Sequence, residues 1–265
     1  ANAQSNLGLM HMIGRGVNQN YKQAGIWLAL AAEQGVPSAQ YYLGEMYRIG
    51  EGVTQDYKQA VKWYTLAADQ GYASAQNKLG SIYYNGQGVT QSYEHAAKWY
   101  SLAARQGYAS AQTNLGELYR DSLGVTQDYK QAGKWFTLAA EQGHANAQLN
   151  LGVMYFGGKG FSRDYKQAAK WITLAAEQGH ATAQFNLGVM YYNGLGITQD
   201  YTQTFKWYTL AADQGYASAQ NQLGEMYRDS GGITQDHKQA IKWFTLAAEQ
   251  GHAEAKTNLT RIEVK

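Results

Sequence analysis

Residues 54–89 read TQDYKQAVKWYTLAADQGYASAQNKLGSIYYNGQGV, and two helices can be read in them. Tyr57, Ala60, Trp63, Tyr64, Ala67 and Ala68 recur at helical spacing, and Ala75, Leu79, Ile82 and Tyr83 fall at i, i+4, i+7 and i+8, the signature of a buried stripe with period 3.6. Asp56, followed three residues later by Gln59, predicts an N-terminus at which the carboxylate accepts from an orphan N–H while the glutamine reaches back. Gly71 stands where a left-handed residue ends that helix. Gly86-Gln87-Gly88 marks a turn after the other. Gly80 lies inside a helix, where glycine costs on the order of 1 kcal/mol relative to alanine; the reading is that its missing Cβ lets two helices cross closely.

The same stretch returns along the whole chain. Trp27, Trp63, Trp99, Trp135, Trp171, Trp207 and Trp243 are each 36 residues apart, a fixed period without insertions. Seven units (1–36, 37–72, 73–108, 109–144, 145–180, 181–216 and 217–252) leave 253–265 as the first third of an eighth. One helix pair cannot bury Trp, Tyr and Leu alone, so consecutive pairs must stack. The fold class expected is all-α, a solenoid of stacked helix-turn-helix repeats. Lys256, Thr260 and Glu263 give the last segment a polar face suited to a cap. Ala1 opens in register with neither Met nor a signal sequence, and further residues upstream are expected.

Composition narrows the function. The formal charge is 22 − 20 = +2, and only 16% of residues are charged, far from the positive excess of a dedicated nucleic-acid binder. No apolar stretch approaches the roughly 18 residues of a membrane helix. Zero cysteines exclude disulfides, thiolate zinc sites and cysteine nucleophiles.

The recurring Ala-x-Ala-Gln-x-x-Leu-Gly, the Gly-x-Gly-Val loop and Ala-x-Lys-Trp-Tyr-x-Leu-Ala-Ala-Glu-Gln-Gly resemble the SEL-one-like repeat (SLR) family, a relative of the tetratricopeptide repeat, over all 265 residues. That resemblance implies a right-handed superhelix and an adaptor that binds protein, with a periplasmic or secreted setting in bacteria. Thr stands at the loop position where the family often has Pro, and the cysteines of one disulfide-rich branch are absent.

Only differences among the chain's own copies can point to a site. In the first helix these fall at unit positions 5, 6, 9 and 12, a face that tetratricopeptide relatives turn into a concave groove. Glu45 with Arg48, Glu117 with Arg120, and Glu225 with Arg228 are spaced to satisfy one another at i, i+3. Units five and six instead carry Leu149, Val153 and Phe156 beside Phe185, Val189 and Tyr192, expected to form one apolar patch. Asn114, Asn150 and Asn186 share a unit position beside it. Carboxamides about 10 Å apart match three residues of an extended peptide at about 3.3 Å each. These residues and Arg120 are the candidate ligand-binding set; the alternatives are packing beneath a loop, dimer contacts or merely tolerated asparagines.

Other chemistry is set aside. His144, His180 and His252 share a unit position, but equivalent residues about 10 Å apart cannot both lie near 2 Å from one zinc. The Gly-x-Gly loops follow a helix rather than a strand and lack a phosphate-binding ending. The recurring aspartates are accounted for as caps. Lys58 with Lys62, and its copies, form an interrupted stripe that reads as a solvated face. The expectation is a non-enzymatic scaffold that takes a protein or peptide partner in its groove, with no cofactor, metal, nucleic acid or membrane insertion. A cell-wall glycan binder or envelope enzyme, and a purely structural spacer, are the competing readings.

Overall fold

The computed structural model describes residues 1–263, and among them every regular element is an α-helix. The chain divides into two compact bodies, Ala1–Ala139 and Ala140–Lys265. The first holds α1 (Asn2–Ile13), α2 (Tyr21–Glu33), α3 (Pro37–Ile49), α4 (Tyr57–Asp69), α5 (Ala73–Asn85), α6 (Tyr93–Arg105), α7 (Ala109–Asp121) and most of α8 (Tyr129–Glu141). The second holds α9 (Ala145–Gly157), α10 (Tyr165–Glu177), α11 (Ala181–Asn193), α12 (Tyr201–Asp213), α13 (Ala217–Asp229), α14 (His237–Glu249) and α15 (Ala253–Glu263). Odd-numbered helices open a repeat and even-numbered ones close it. Within each body neighbours in sequence are neighbours in space, the arrangement of a solenoid of helical hairpins.

The core is shared between repeats. In the first body Ala60, Tyr64, Ala67 and Ala68 of α4 cluster with Ala75, Leu79 and Ile82 of α5, and Trp99 of α6 packs against them. In the second, α10 contributes Ala168, Ala169, Ile172, Ala175 and Ala176, α11 contributes Ala183, Leu187 and Met190, and Trp207 of α12 closes the cluster. Each cluster thus joins the closing helix of one repeat, the opening helix of the next, and that next repeat's tryptophan. A hairpin cut from its neighbour would leave half of this surface in water. Tyr57, at the first position of α4, falls outside the core and is 38% exposed.

Gly80 does what its position predicts. A Cβ there would lie 2.4 Å from the Tyr100 ring, so the ring of α6 rests directly on the α5 backbone. In the αL position that ends the opening helices, Ser122 and Ser230, both at φ 59°, replace the glycine used elsewhere, a strain of roughly 1 kcal/mol for an L-residue.

The start of the closing helices differs from expectation. Asp56 accepts from the backbone N–H of Lys58 and Gln59, but its own N–H is taken by the Tyr47 carbonyl at 2.8 Å. That bond removes the partner Gln59 was expected to reach, so the reciprocal capping box does not form. The same backbone bond recurs at Asn20, Ser92, Asp128, Asp164, Asp200 and Asp236, tying each closing helix to the opening helix of its own repeat.

A second tie runs between repeats. Gln76 is buried and donates to the Ala68 carbonyl at 3.0 Å while its Oε1 accepts from Gln106 at 2.7 Å. Gln40 with Gln70, Gln148 with Gln178, Gln184 with Gln214, and Gln220 with Gln250 repeat the pair. A carboxamide suits the place because one side chain must donate and accept at once. Lys256 occupies the corresponding place in α15 and is exposed, as is Thr260. The Glu263 side chain, Val264 and Lys265 lie outside the described residues.

Candidate functional site

The four variable positions of the opening helices take up two different environments. Position 5 belongs to the packing. Phe185 stacks on Tyr208 with ring centroids 5.5 Å apart and lies 5.2 Å from Tyr216; in the first body Tyr41 sits in the same way against Tyr64 and Tyr72. Thr113 and Asn221, at that position in other repeats, are buried. Leu149 is half-buried against the α10–α11 core, and Val189 is half-buried against the core of α12 and α13. The apolar residues of α9 and α11 that face solvent are Val153, Phe156 and Tyr192, at 48%, 37% and 44% exposure. Phe156 meets Tyr165 edge-on at 5.2 Å, and Tyr192 meets Tyr201 edge-on at 5.4 Å, so each ring is held by a neighbour while one face stays open.

The asparagine row is not uniform. Asn114 donates to Asn77 Oδ1 at 3.2 Å, and Asn150 is engaged within the protein as well. Asn186 is half-buried and makes no side-chain hydrogen bond among the described residues. Sequence explains the contrast: the repeat before Asn114 offers Asn77 at position 5, and the repeat before Asn186 offers Leu149, which has nothing to share.

Charged pairs also sort differently from their spacing. Arg48 bonds Glu45 at 2.6 Å, and Lys78 reaches the same carboxylate at 3.1 Å. The Tyr64 hydroxyl donates to it at 2.7 Å. Burial alone would raise the Glu45 pKa, but the bonds from Arg48 and Tyr64 and the nearby lysine charge outweigh it and hold the carboxyl below its ordinary value. Burial, helped by the Glu45 charge, pushes the Tyr64 hydroxyl up. Arg120 and Arg228 instead bridge to Asp121 at 2.7 Å and Asp229 at 2.6 Å. Glu225 accepts from Asn258, so the expected pair with Arg228 is replaced. Two substitutions account for this. Unit two has Ile49 where units four and seven have Asp121 and Asp229, and its ring is Tyr64 where theirs are Phe136 and Phe244, over which Arg120 and Arg228 lie at 5.9 and 5.6 Å.

Among the described residues no three His, Asp or Glu side chains converge as metal ligands, and no helix is long and apolar enough to cross a membrane. His144 and His180 occupy N-cap positions without capping through their side chains, and burial lowers the His144 pKa. Lys62, Lys98, Lys170, Lys206 and Lys242 lie over the adjacent tryptophans at 5.0 to 5.7 Å, the snorkelling contact of a solvated face.

The Sel1 repeat profile matches residues 1–36, 37–72, 73–108, 109–144, 145–180, 181–216 and 217–252. The chain belongs to the Sel1 repeat family. Among solved structures it is similar to c5321, described as a protective antigen of uropathogenic Escherichia coli with an SLR fold, at 40% identity and a TM-score of 0.90. That match covers 98% of this chain and 56% of the E. coli protein, so the chain spans about half of that relative's length. A Sel1 repeat protein of Oxalobacter formigenes is 31% identical with a TM-score of 0.83, the match covering 92% of this chain and 96% of that one. An immunity protein of Pseudomonas aeruginosa, at 19% identity and a TM-score of 0.53 over 84% and 86% of the two chains, shares the fold alone. A search of curated proteins finds no match.

Sel1 repeat proteins commonly serve as protein-interaction scaffolds. The glutamine pairs were missed as functional framework from sequence, although Gln stands at positions 4 and 34 of all seven units. Asp121 and Asp229 were also missed; their signal was the departure from Ile49 at the same place.

Proposed function

We propose that this chain is a non-enzymatic interaction scaffold that captures an extended segment of a protein partner on α9 and α11. One observation carries the reading: Val153 and Phe156 on α9 and Tyr192 on α11 expose apolar surface, and α11 also carries Asn186, a carboxamide with no side-chain hydrogen bond among the described residues. Such a carboxamide bonds an N–H and a C=O of a passing backbone, while the rings and the valine receive its apolar side chains. Leu149, Phe185 and Val189 are packed against the core instead. Asn114 and Arg120 hold side-chain partners and Asn150 is engaged within the protein, so this reading rests on Asn186 rather than on the row of three.

Panning a random peptide display against the full chain, then measuring the selected peptides on Phe156→Ala/Tyr192→Ala and on Asn186→Ala, tests the reading. Each variant is expected to weaken binding at least roughly tenfold, about 1.4 kcal/mol, with helical content intact. Peptides that bind both variants as well as the parent would remove the site. Saturable binding of a soluble muropeptide, lost in Tyr192→Ala, would favour a glycan ligand at the same rings.

A further inference from the structure

In the first body, α6, α7, α8 and the loop between α7 and α8 line an open cavity of about 740 Å³. That volume lies within the roughly 300 to 1,000 Å³ of small-molecule sites. Its walls include Tyr119 and Trp135, and two cations reach it, Arg105 at the end of α6 and Lys134 on α8. Neither cation forms an ion pair among the described residues. Asp128 also lines the cavity, its Oδ1 accepting from the N–H groups of Lys130 and Gln131 as the cap of α8, and its single negative charge against two cations leaves the lining with a positive excess.

Arg105 is where this repeat departs from the others. The same unit position is Glu33, Asp69, Glu141, Glu177, Asp213 and Glu249 elsewhere, so an acid normally stands one repeat ahead of a lysine such as Lys62, Lys98 or Lys170. Only the third repeat reverses the sign and sets two cations at one cavity. Packing does not require the exchange, since Arg105 is exposed and the acid serves the same helix end in six copies. A cation at a helix C-terminus is favourable by a few tenths of a kcal/mol, a benefit the other six repeats do without.

We propose that this cavity is a binding site for a small organic oxyanion, a carboxylate or phosphate carried on a flat body. The Arg105 guanidinium offers two parallel N–H donors to the oxyanion, and Lys134 adds a point charge. Tyr119 and Trp135 flank the body of the ligand, and the unengaged Gln131 side chain supplies a neutral donor. The proposal does not rest on the peptide-binding face and stands or falls without it.

Titration of the full chain with phenyl phosphate and with inorganic phosphate, followed through the Trp135 indole N–H in nitrogen-15 NMR, tests it. That resonance is assigned by its loss in Trp135→Phe. Saturable shifts at Trp135 are expected for phenyl phosphate, with weaker binding of inorganic phosphate because the ring contact is missing. Arg105→Glu installs the residue type of the other repeats and keeps the fold; it is expected to weaken binding at least roughly tenfold, and Lys134→Gln several-fold. An unmoved Trp135 resonance at millimolar phenyl phosphate, or equal binding by Arg105→Glu, overturns the proposal. Phosphate binding as tightly as phenyl phosphate would reject the flat-body part of it.

Discussion

Around Glu45 and along α9 and α11, the same unit positions are put to opposite uses. In unit two, position 9 is a carboxylate that collects Arg48, Lys78 and the Tyr64 hydroxyl, and every strong polar group there finds its partner inside the protein. In units five and six, position 9 is Val153 and Val189, position 12 is Phe156 and Tyr192, and the carboxamide of Asn186 is left over. Both faces rest on one foundation: a Cβ added at Gly44 would meet the Tyr64 ring at 2.8 Å, and one at Gly188 would meet Tyr208 at 2.5 Å. The repeat therefore holds its backbone constant and decides by a few side chains whether a face is closed on itself or open to a ligand. A closed face adds to stability. An open one leaves that interaction energy for binding.

The largest effect is expected where the closed face is broken. Glu45→Ala removes the acceptor of a fully buried Tyr64 hydroxyl and leaves Arg48 and Lys78 without their shared carboxylate. Hydrogen bonds to charged groups contribute about 1.5 to 3 kcal/mol each at buried sites, and urea unfolding should show a loss of about 2 kcal/mol. A loss under about 0.5 kcal/mol would mean that the cluster is no more than a surface ion pair.

Grafting the closed arrangement onto the open face sharpens the contrast. Val153→Glu with Phe156→Arg recreates at α9 the pair seen at Glu45 and Arg48. Stability should change by less than about 1 kcal/mol, because both side chains are substantially exposed, whereas affinity for selected peptides should fall at least roughly tenfold. Isothermal titration beside a urea curve separates the two. Retained affinity would show that the exposed apolar surface of α9 is not what binds.

How far all this was legible from sequence follows from what repeats. The 36-residue period, Gly80 against the Tyr100 ring and the αL glycines follow from local rules repeated in phase, so they can be read residue by residue. The patch is narrower than periodicity implies, because periodicity tells which side of a helix a residue occupies and not what the rest of its own repeat lays over it. Phe185 looks as free as Phe156 until Tyr208 and Tyr216 arrive from 23 and 31 residues later. The asparagines and arginines differ among themselves for a related reason. Whether Asn114, Asn186, Arg120 or Arg228 has a partner depends on position 5 of the repeat before, or on the residue next along, and identical residues in identical places acquire different neighbours. The missing capping box has the same origin, a carbonyl from the opening helix reaching the Asp56 N–H before Gln59 does.

The smallest effect tests that last point. If Arg120 and Arg228 turn away from the glutamate three residues back because an aspartate follows them, then Ile49→Asp should draw Arg48 off Glu45 in unit two. The new pair would be solvent-exposed, since Ile49 is 47% exposed, and an exposed pair is worth about 0 to 1 kcal/mol; the net change at neutral pH should be a few tenths of a kcal/mol. The pH dependence is more telling. Glu45 has its carboxyl pKa lowered by folding, so its contribution is full above the ordinary value of 4.5 and fades as pH falls through the folded one. Losing the Arg48 bond moves that folded value back up, which weakens the contribution at neutral pH and shrinks what acid can remove. The stability curves of parent and Ile49→Asp should thus converge below about pH 4, with carbon-13 titration of the Glu45 carboxyl showing the upward shift directly. A carboxyl that titrates where it did before would place the cause with Tyr64, whose hydroxyl unit two alone among these three repeats aims at the glutamate.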